Sequence, residues 1–149
     1  MLERLLKLFR RESEPSRIDR YRELQARHPS DGLTATLATR DGGLPLTLTV
    51  TNPTDVVGQF CVYHTPFEGI ANAWLEVLGE DGAVMEYRGV MMSRLAPGPE
   101  HFIILQPGET RSAEFDPSEA FQLGAGVWTM RYTGGGGLPE SNRVTVTIG

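Results

Sequence analysis

Apolar side chains fall on every second position in two successive runs: Leu33, Ala35 and Leu37 against Thr34, Thr36 and Ala38, then Leu44, Leu46, Leu48 and Val50 against Pro45, Thr47, Thr49 and Thr51. Neighbouring residues of a strand point to opposite faces, so this spacing buries one face and wets the other. Asp41-Gly42-Gly43 supplies turn chemistry between the runs, and the pair reads as an antiparallel hairpin. Further strands are expected at Val57 to Tyr63, Trp74 to Leu78, Val84 to Tyr87, His101 to Gln106, Arg111 to Phe115, Val127 to Thr133 and Arg143 to Gly149. Glu80-Asp81-Gly82 turns between the second and third of these, and Pro107-Gly108 fits a type II turn. Asp116-Pro117-Ser118-Glu119 caps one helical turn ending near Phe121, and Gly134 to Gly137 reads as a mobile hairpin tip. About eight or nine short strands with turn chemistry between them predict an all-β fold, an immunoglobulin-like antiparallel β-sandwich.

A different period governs the start of the chain. Leu2, Leu5, Leu6 and Phe9 are spaced i, i+3, i+4, i+7 with Glu3, Arg4 and Lys7 among them, which predicts a short amphipathic helix. Pro15 breaks it, and Ser16 is placed to cap a second short helix carrying Ile18, Tyr21 and Leu24. Residues 1–28 are therefore expected as a helical N-terminal extension and residues 29–149 as the sandwich domain; 149 residues suffice for one domain with a real core. The apolar face of residues 1–11 has three destinations: the protein's own domain, a partner protein, or a membrane surface.

Charge narrows the partners. Residues 1 to 27 carry eight Lys and Arg against five Asp and Glu, while the other 122 carry six against fourteen. The domain is thus acidic and the extension basic, which argues against nucleic acid and favours attraction between the two parts, or between the extension and another acidic surface. Cys61 is the sole cysteine, so no intrachain disulfide forms. The charges within the leucine-rich start leave no continuous apolar core for a signal peptide, and the expected compartment is the cytoplasm, with peripheral membrane association through residues 1–11 as an alternative.

Catalytic constellations are not found. His28, His64 and His101 are far apart and no His-Glu-x-x-His pair places two metal ligands on one helix face. Pro66 forbids a regular helix across His64 to Glu68, and there is no Gly-x-Ser-x-Gly elbow. No lysine and hydroxyl residue follow the glycine run as a phosphate loop requires. The sequence reading is a non-enzyme with no cofactor and no metal.

Function is expected between Val62 and Pro97. This stretch concentrates aromatic, Met, Arg, Pro and Gly residues, and Met, aromatic and Arg side chains are enriched at protein interfaces. The residues assigned to partner contact are His64, Pro66, Phe67, Glu68, Tyr87, Arg88, Met91, Met92 and Arg94; Leu2, Leu5, Leu6 and Phe9 form the membrane or partner helix. An adaptor acting through that helix is the alternative function.

Several of these motifs together resemble a known family. Leu46 to Asn52, His64-Thr65-Pro66-Phe67-Glu68-Gly69, Tyr87-Arg88-Gly89, Arg94 and Pro97, then Leu105 to Thr110, Phe115 to Phe121 and Gly126-Val127-Trp128, are similar to the β-sandwich pro-region that precedes the zinc domain of peptidyl-Lys and deuterolysin-type metalloendopeptidases. Trp128 stands where that family has Tyr, Ser93 replaces a basic residue, and no zinc motif is present. The resemblance implies a sandwich acting in trans on a peptidase, as an inhibitor or as a propeptide-like folding or targeting partner; the family's secretory route is not matched by this N-terminus. The Asn-ended strand and later Pro-Gly-Glu turn are also similar to a bacterial intracellular proteinase-inhibitor domain.

Overall fold

The computed structural model describes residues 30–149, so Leu2, Leu5, Leu6 and Phe9, and the whole expected helical extension to residue 28, lie outside the described residues. Eight strands follow in order among the described residues: β1 (Thr34–Arg40), β2 (Gly43–Thr51), β3 (Gly58–Cys61), β4 (Leu75–Leu78), β5 (Phe102–Leu105), β6 (Thr110–Phe115), β7 (Gly126–Tyr132) and β8 (Arg143–Ile148). They form three antiparallel sheets, β1-β2-β6, β3-β5 and β4-β7-β8. None of the described helices is long and apolar enough to cross a membrane.

Period-two patterning sets the register. In β2, Leu46, Leu48 and Val50 are fully buried and stand opposite Phe115, Ala113 and Arg111 of β6. A slip of one residue would turn all three leucine and valine side chains to water. Burying each is worth about 1.5 to 3 kcal/mol. All three sheets send side chains into one core that holds Phe60, Trp74, Leu105, Met130 and Val146, with Trp74 edge-on to Phe115 at 4.9 Å and to Tyr132 at 5.9 Å.

Two bridges fasten the β1-β2 hairpin to β8. The Asn142 side-chain amide accepts from Leu37 N–H at 2.8 Å and donates to Leu37 O at 3.0 Å, acting in place of a strand residue. Thr147 N–H donates to Gly42 O at 2.9 Å.

Three expectations are corrected. Val84 to Tyr87 is not a strand; only a Leu78–Val84 bridge and a Met85 N–H bond to Val77 O pair it with β4, because the next backbone bond, Arg88 N–H to Ala120 O, draws the chain away. His101 belongs to a 3-10 turn at Pro99–His101 ahead of β5, and β3 ends at Cys61. Outside these three, the glycine run makes a tight turn in which Gly135 and Leu138 pair, and Gly136, at φ 59°, comes so near the 61–63 backbone that a Cβ would lie 3.0 Å from Cys61 O. The capped turn at Pro117–Glu119 forms as expected, with Asp116 accepting from Ser118 N–H at 2.9 Å.

Candidate functional site

After β3 the chain leaves the sheet through a turn built on Thr65. Thr65 is fully buried; its hydroxyl donates to Val62 O at 2.6 Å and accepts from Phe67 N–H at 3.2 Å, capping the 3-10 turn Pro66–Glu68. His64 takes a left-handed conformation, φ 59°, which a non-glycine residue holds only when its surroundings fix it. Tyr132 provides the fixing: its hydroxyl donates to His64 O at 2.9 Å. Burial pushes the Tyr132 phenol well above its ordinary range, so the hydroxyl stays a donor.

Glu68 joins this loop to the segment between β4 and β5. Its Oε1 accepts from His64 N–H at 3.3 Å and its Oε2 from Arg94 Nη2 at 2.5 Å. The Glu68 side chain is only 9% exposed, so the carboxylate is covered while Arg94 keeps an open side. Arg94 also lies over the Tyr63 ring, 4.9 Å from its centre, and Tyr63 packs against His101 at 4.9 Å. His101 Nδ1 accepts Gly98 N–H at 3.0 Å, which engages its lone pair; Glu100 Oε1, 3.4 Å from the same nitrogen, pairs with it only when the ring is protonated.

Residues 84–97 form a strap without sheet pairing beyond Val84. It is tied at points: Met85 N–H to Val77 O at 2.8 Å, Arg88 N–H to Ala120 O at 2.7 Å, Met92 N–H to Ala71 O at 3.1 Å, then the Arg94 to Glu68 pair. Within it the Tyr87 hydroxyl donates to Val90 O at 2.5 Å and the Tyr87 ring meets Phe121 edge-on at 5.7 Å. Gly89 is required there, since a Cβ would lie 2.6 Å from the Tyr87 hydroxyl and 2.9 Å from Ala120 Cβ. Between the ties the strap turns apolar side chains outward: Leu95 is 88% and Met91 69% exposed, and Val84, Val90 and Met92 are exposed as well.

The residues assigned from sequence divide by placement. His64, Arg88, Met91, Met92 and Arg94 are exposed. Pro66 is buried, and Phe67 is half-buried edge-on to Phe60 at 5.2 Å, so both support the loop from beneath. Glu68 and Tyr87 are half-buried and act as ties. His64, Glu68 and Arg94 come together, whereas Tyr87 and Arg88 are anchored separately at Ala120 and Phe121. The sequence reading did not assign Tyr63 or His101 to the cluster, nor Val84 and Val90 to the exposed edge; Tyr63 meets Arg94 and His101 across 31 and 38 residues, and only its place beside His64 hinted at a role.

No group of three or more His, Cys, Asp or Glu suited to a metal ion occurs among the described residues. Cys61 is a buried free thiol. No protein-family model matches the chain, and no curated protein matches it.

Proposed function

We propose that this chain is a non-enzymatic, cytoplasmic protein-binding domain on an immunoglobulin-like β-sandwich plan, engaging a protein partner through the strap and the His64 to Glu68 loop. The observation that carries this reading is the outward row Val90, Met91, Leu95 on a strap held at Arg88, Met92 and Arg94. Large apolar side chains facing water have no stabilising role in the free domain, and contiguous ones mark interaction surfaces. Fixed ties reduce the ordering entropy that binding would otherwise cost.

The resemblance to metalloendopeptidase pro-regions makes a peptidase the partner of choice, met in trans as an inhibitor or propeptide-like partner. An extended, exposed strap anchored on a scaffold suits a peptidase cleft. The test is a titration of full-length chain and of M91D/L95D against a purified peptidase captured by the parent chain, alongside melts of both. Each lost anchor is worth about 1 to 2 kcal/mol, so affinity should fall at least about tenfold at an unchanged melting temperature. Equal affinity of the two chains would overturn the assignment.

A further inference from the structure

A second surface differs from the strap in charge. Between the turn after β4 and the start of β7 lies a groove of about 390 Å³, lined by Glu80, Asp81, Ala83, Met85, Val127 and Trp128 among others. Trp128 forms an apolar wall whose Nε1 donates to Gly124 O at 3.0 Å. The two carboxylates are positioned by backbone: Glu80 Oε1 accepts Val127 N–H at 3.0 Å and Asp81 Oδ1 accepts Ala83 N–H at 3.0 Å. Neither is ion-paired with Lys or Arg among the described residues, while Arg40, Arg88, Arg94, Arg131 and Arg143 are all paired elsewhere. An apolar wall beside two carboxylates without a cationic partner calls for an occupant that is apolar on one side and basic on the other.

We propose that the occupant is the chain's own residues 1–11. Leu2, Leu5, Leu6 and Phe9 supply one apolar side, and Arg4, Lys7, Arg10 and Arg11 supply the cations. The strap, Val57 and Ile104 also expose apolar side chains, but the carboxylates at the strap, Glu68 and Glu86, are already paired with Arg94 and Arg88, whereas Glu80 and Asp81 have no cationic partner among the described residues, so charge directs the segment to the groove. Reach is no obstacle. The connecting residues 12–29 span up to about 60 Å at about 3.3 Å each, and a domain of this size is about 35 Å across. The extension thereby covers the Trp128 groove and leaves the strap free for its partner.

Lys7 is the only lysine in the sequence, which makes the test specific. Dilute full-length chain is treated with a water-soluble carbodiimide, which joins an amine to a carboxylate already in contact, and the products are mapped by tandem mass spectrometry. A mixture of ¹⁴N- and ¹⁵N-labelled chains separates links within a chain from links between chains. The expected product is a Lys7–Glu80 or Lys7–Asp81 amide within one chain. It should be lost in L5D/L6D, which keeps Lys7 and both carboxylates but removes the apolar contact. Lys7 joined only to other carboxylates, joined only between chains, not joined at all, or joined equally well in L5D/L6D would each overturn the proposal.

Discussion

Replacing Asn52 should destabilise the domain more than any surface change near the site. Asn52 directly follows β2, fully buried, and its side chain connects three segments. Nδ2 donates to Val56 O at 2.8 Å and to Leu105 O at 3.0 Å, while Oδ1 accepts from Thr54 N–H at 3.0 Å and the Thr54 hydroxyl at 2.6 Å. N52A removes all four contacts; the Thr54 hydroxyl can still donate to Val56 O at 3.0 Å, but Leu105 O and Thr54 N–H lose their side-chain partner. At about 1 kcal/mol net for each, the loss is about 3 to 4 kcal/mol, a large part of the roughly 5 to 15 kcal/mol that holds a domain folded. For a chain of this length that lowers Tm by about 10 °C. Urea unfolding followed by tryptophan fluorescence measures it, and an unchanged m-value shows that both chains expose the same surface. N52D provides a signed companion. It keeps an acceptor for Thr54 but sets a buried carboxylate against the carbonyls of Val56 and Leu105, so burial raises its folded-state pKa above the unfolded value of about 3.9. The variant is then least impaired in acid and loses stability as pH rises through the folded pKa. A loss below about 1 kcal/mol for N52A, or a pH trend of opposite sign for N52D, would refute the account of Asn52 as the buried connection between β2 and β5.

Y132F removes the donor to His64 O and should cost about 1 kcal/mol at neutral pH. Because the phenol's pKa is raised in the folded state, the parent chain loses stability as pH rises above about 10, where the unfolded state releases this proton; Y132F lacks that component and should decline less steeply in alkaline melts. G136A forces a Cβ onto Cys61 O and Tyr63 O at a positive φ, and should lower stability by about 1 to 3 kcal/mol by urea unfolding. E68Q weakens the charge-assisted bond to Arg94; the expected cost is about 1.5 kcal/mol, largely retained at high salt because the Glu68 side chain is covered, and a loss abolished by salt would contradict that burial.

How far the sequence reaches depends on the range of each signal. Leu46, Leu48 and Val50 declare their face by spacing alone, and Asp116-Pro117-Ser118 declares its cap within three residues, so both are legible. Val84 to Tyr87 carries strand-like residues, yet the carbonyl that receives Arg88 N–H belongs to Ala120, 32 residues away, and no local pattern announces it. Concentrated aromatic, Met and Arg residues single out the stretch between β3 and β5. They did not distinguish Pro66 beneath the loop from Met91 on its surface, because a buried turn proline and an exposed one have the same immediate neighbours. The packing of the glycine run was hidden for the same reason: Gly136 is needed for the approach of Cys61 and Tyr63, which lie more than 70 residues earlier.

The point-tied strap has a consequence for hydrogen exchange. Between Glu86 and Leu95 only the amides of Arg88 and Met92 donate to acceptors among the described residues. A backbone with two protected amides four residues apart exchanges differently from an edge strand, which protects every second amide, and from a central strand, protected along its length. Occupancy by a partner would then register as new protection at Val90, Met91 and Leu95, residue by residue, with the slow amides of β4 and β7 serving as an internal clock.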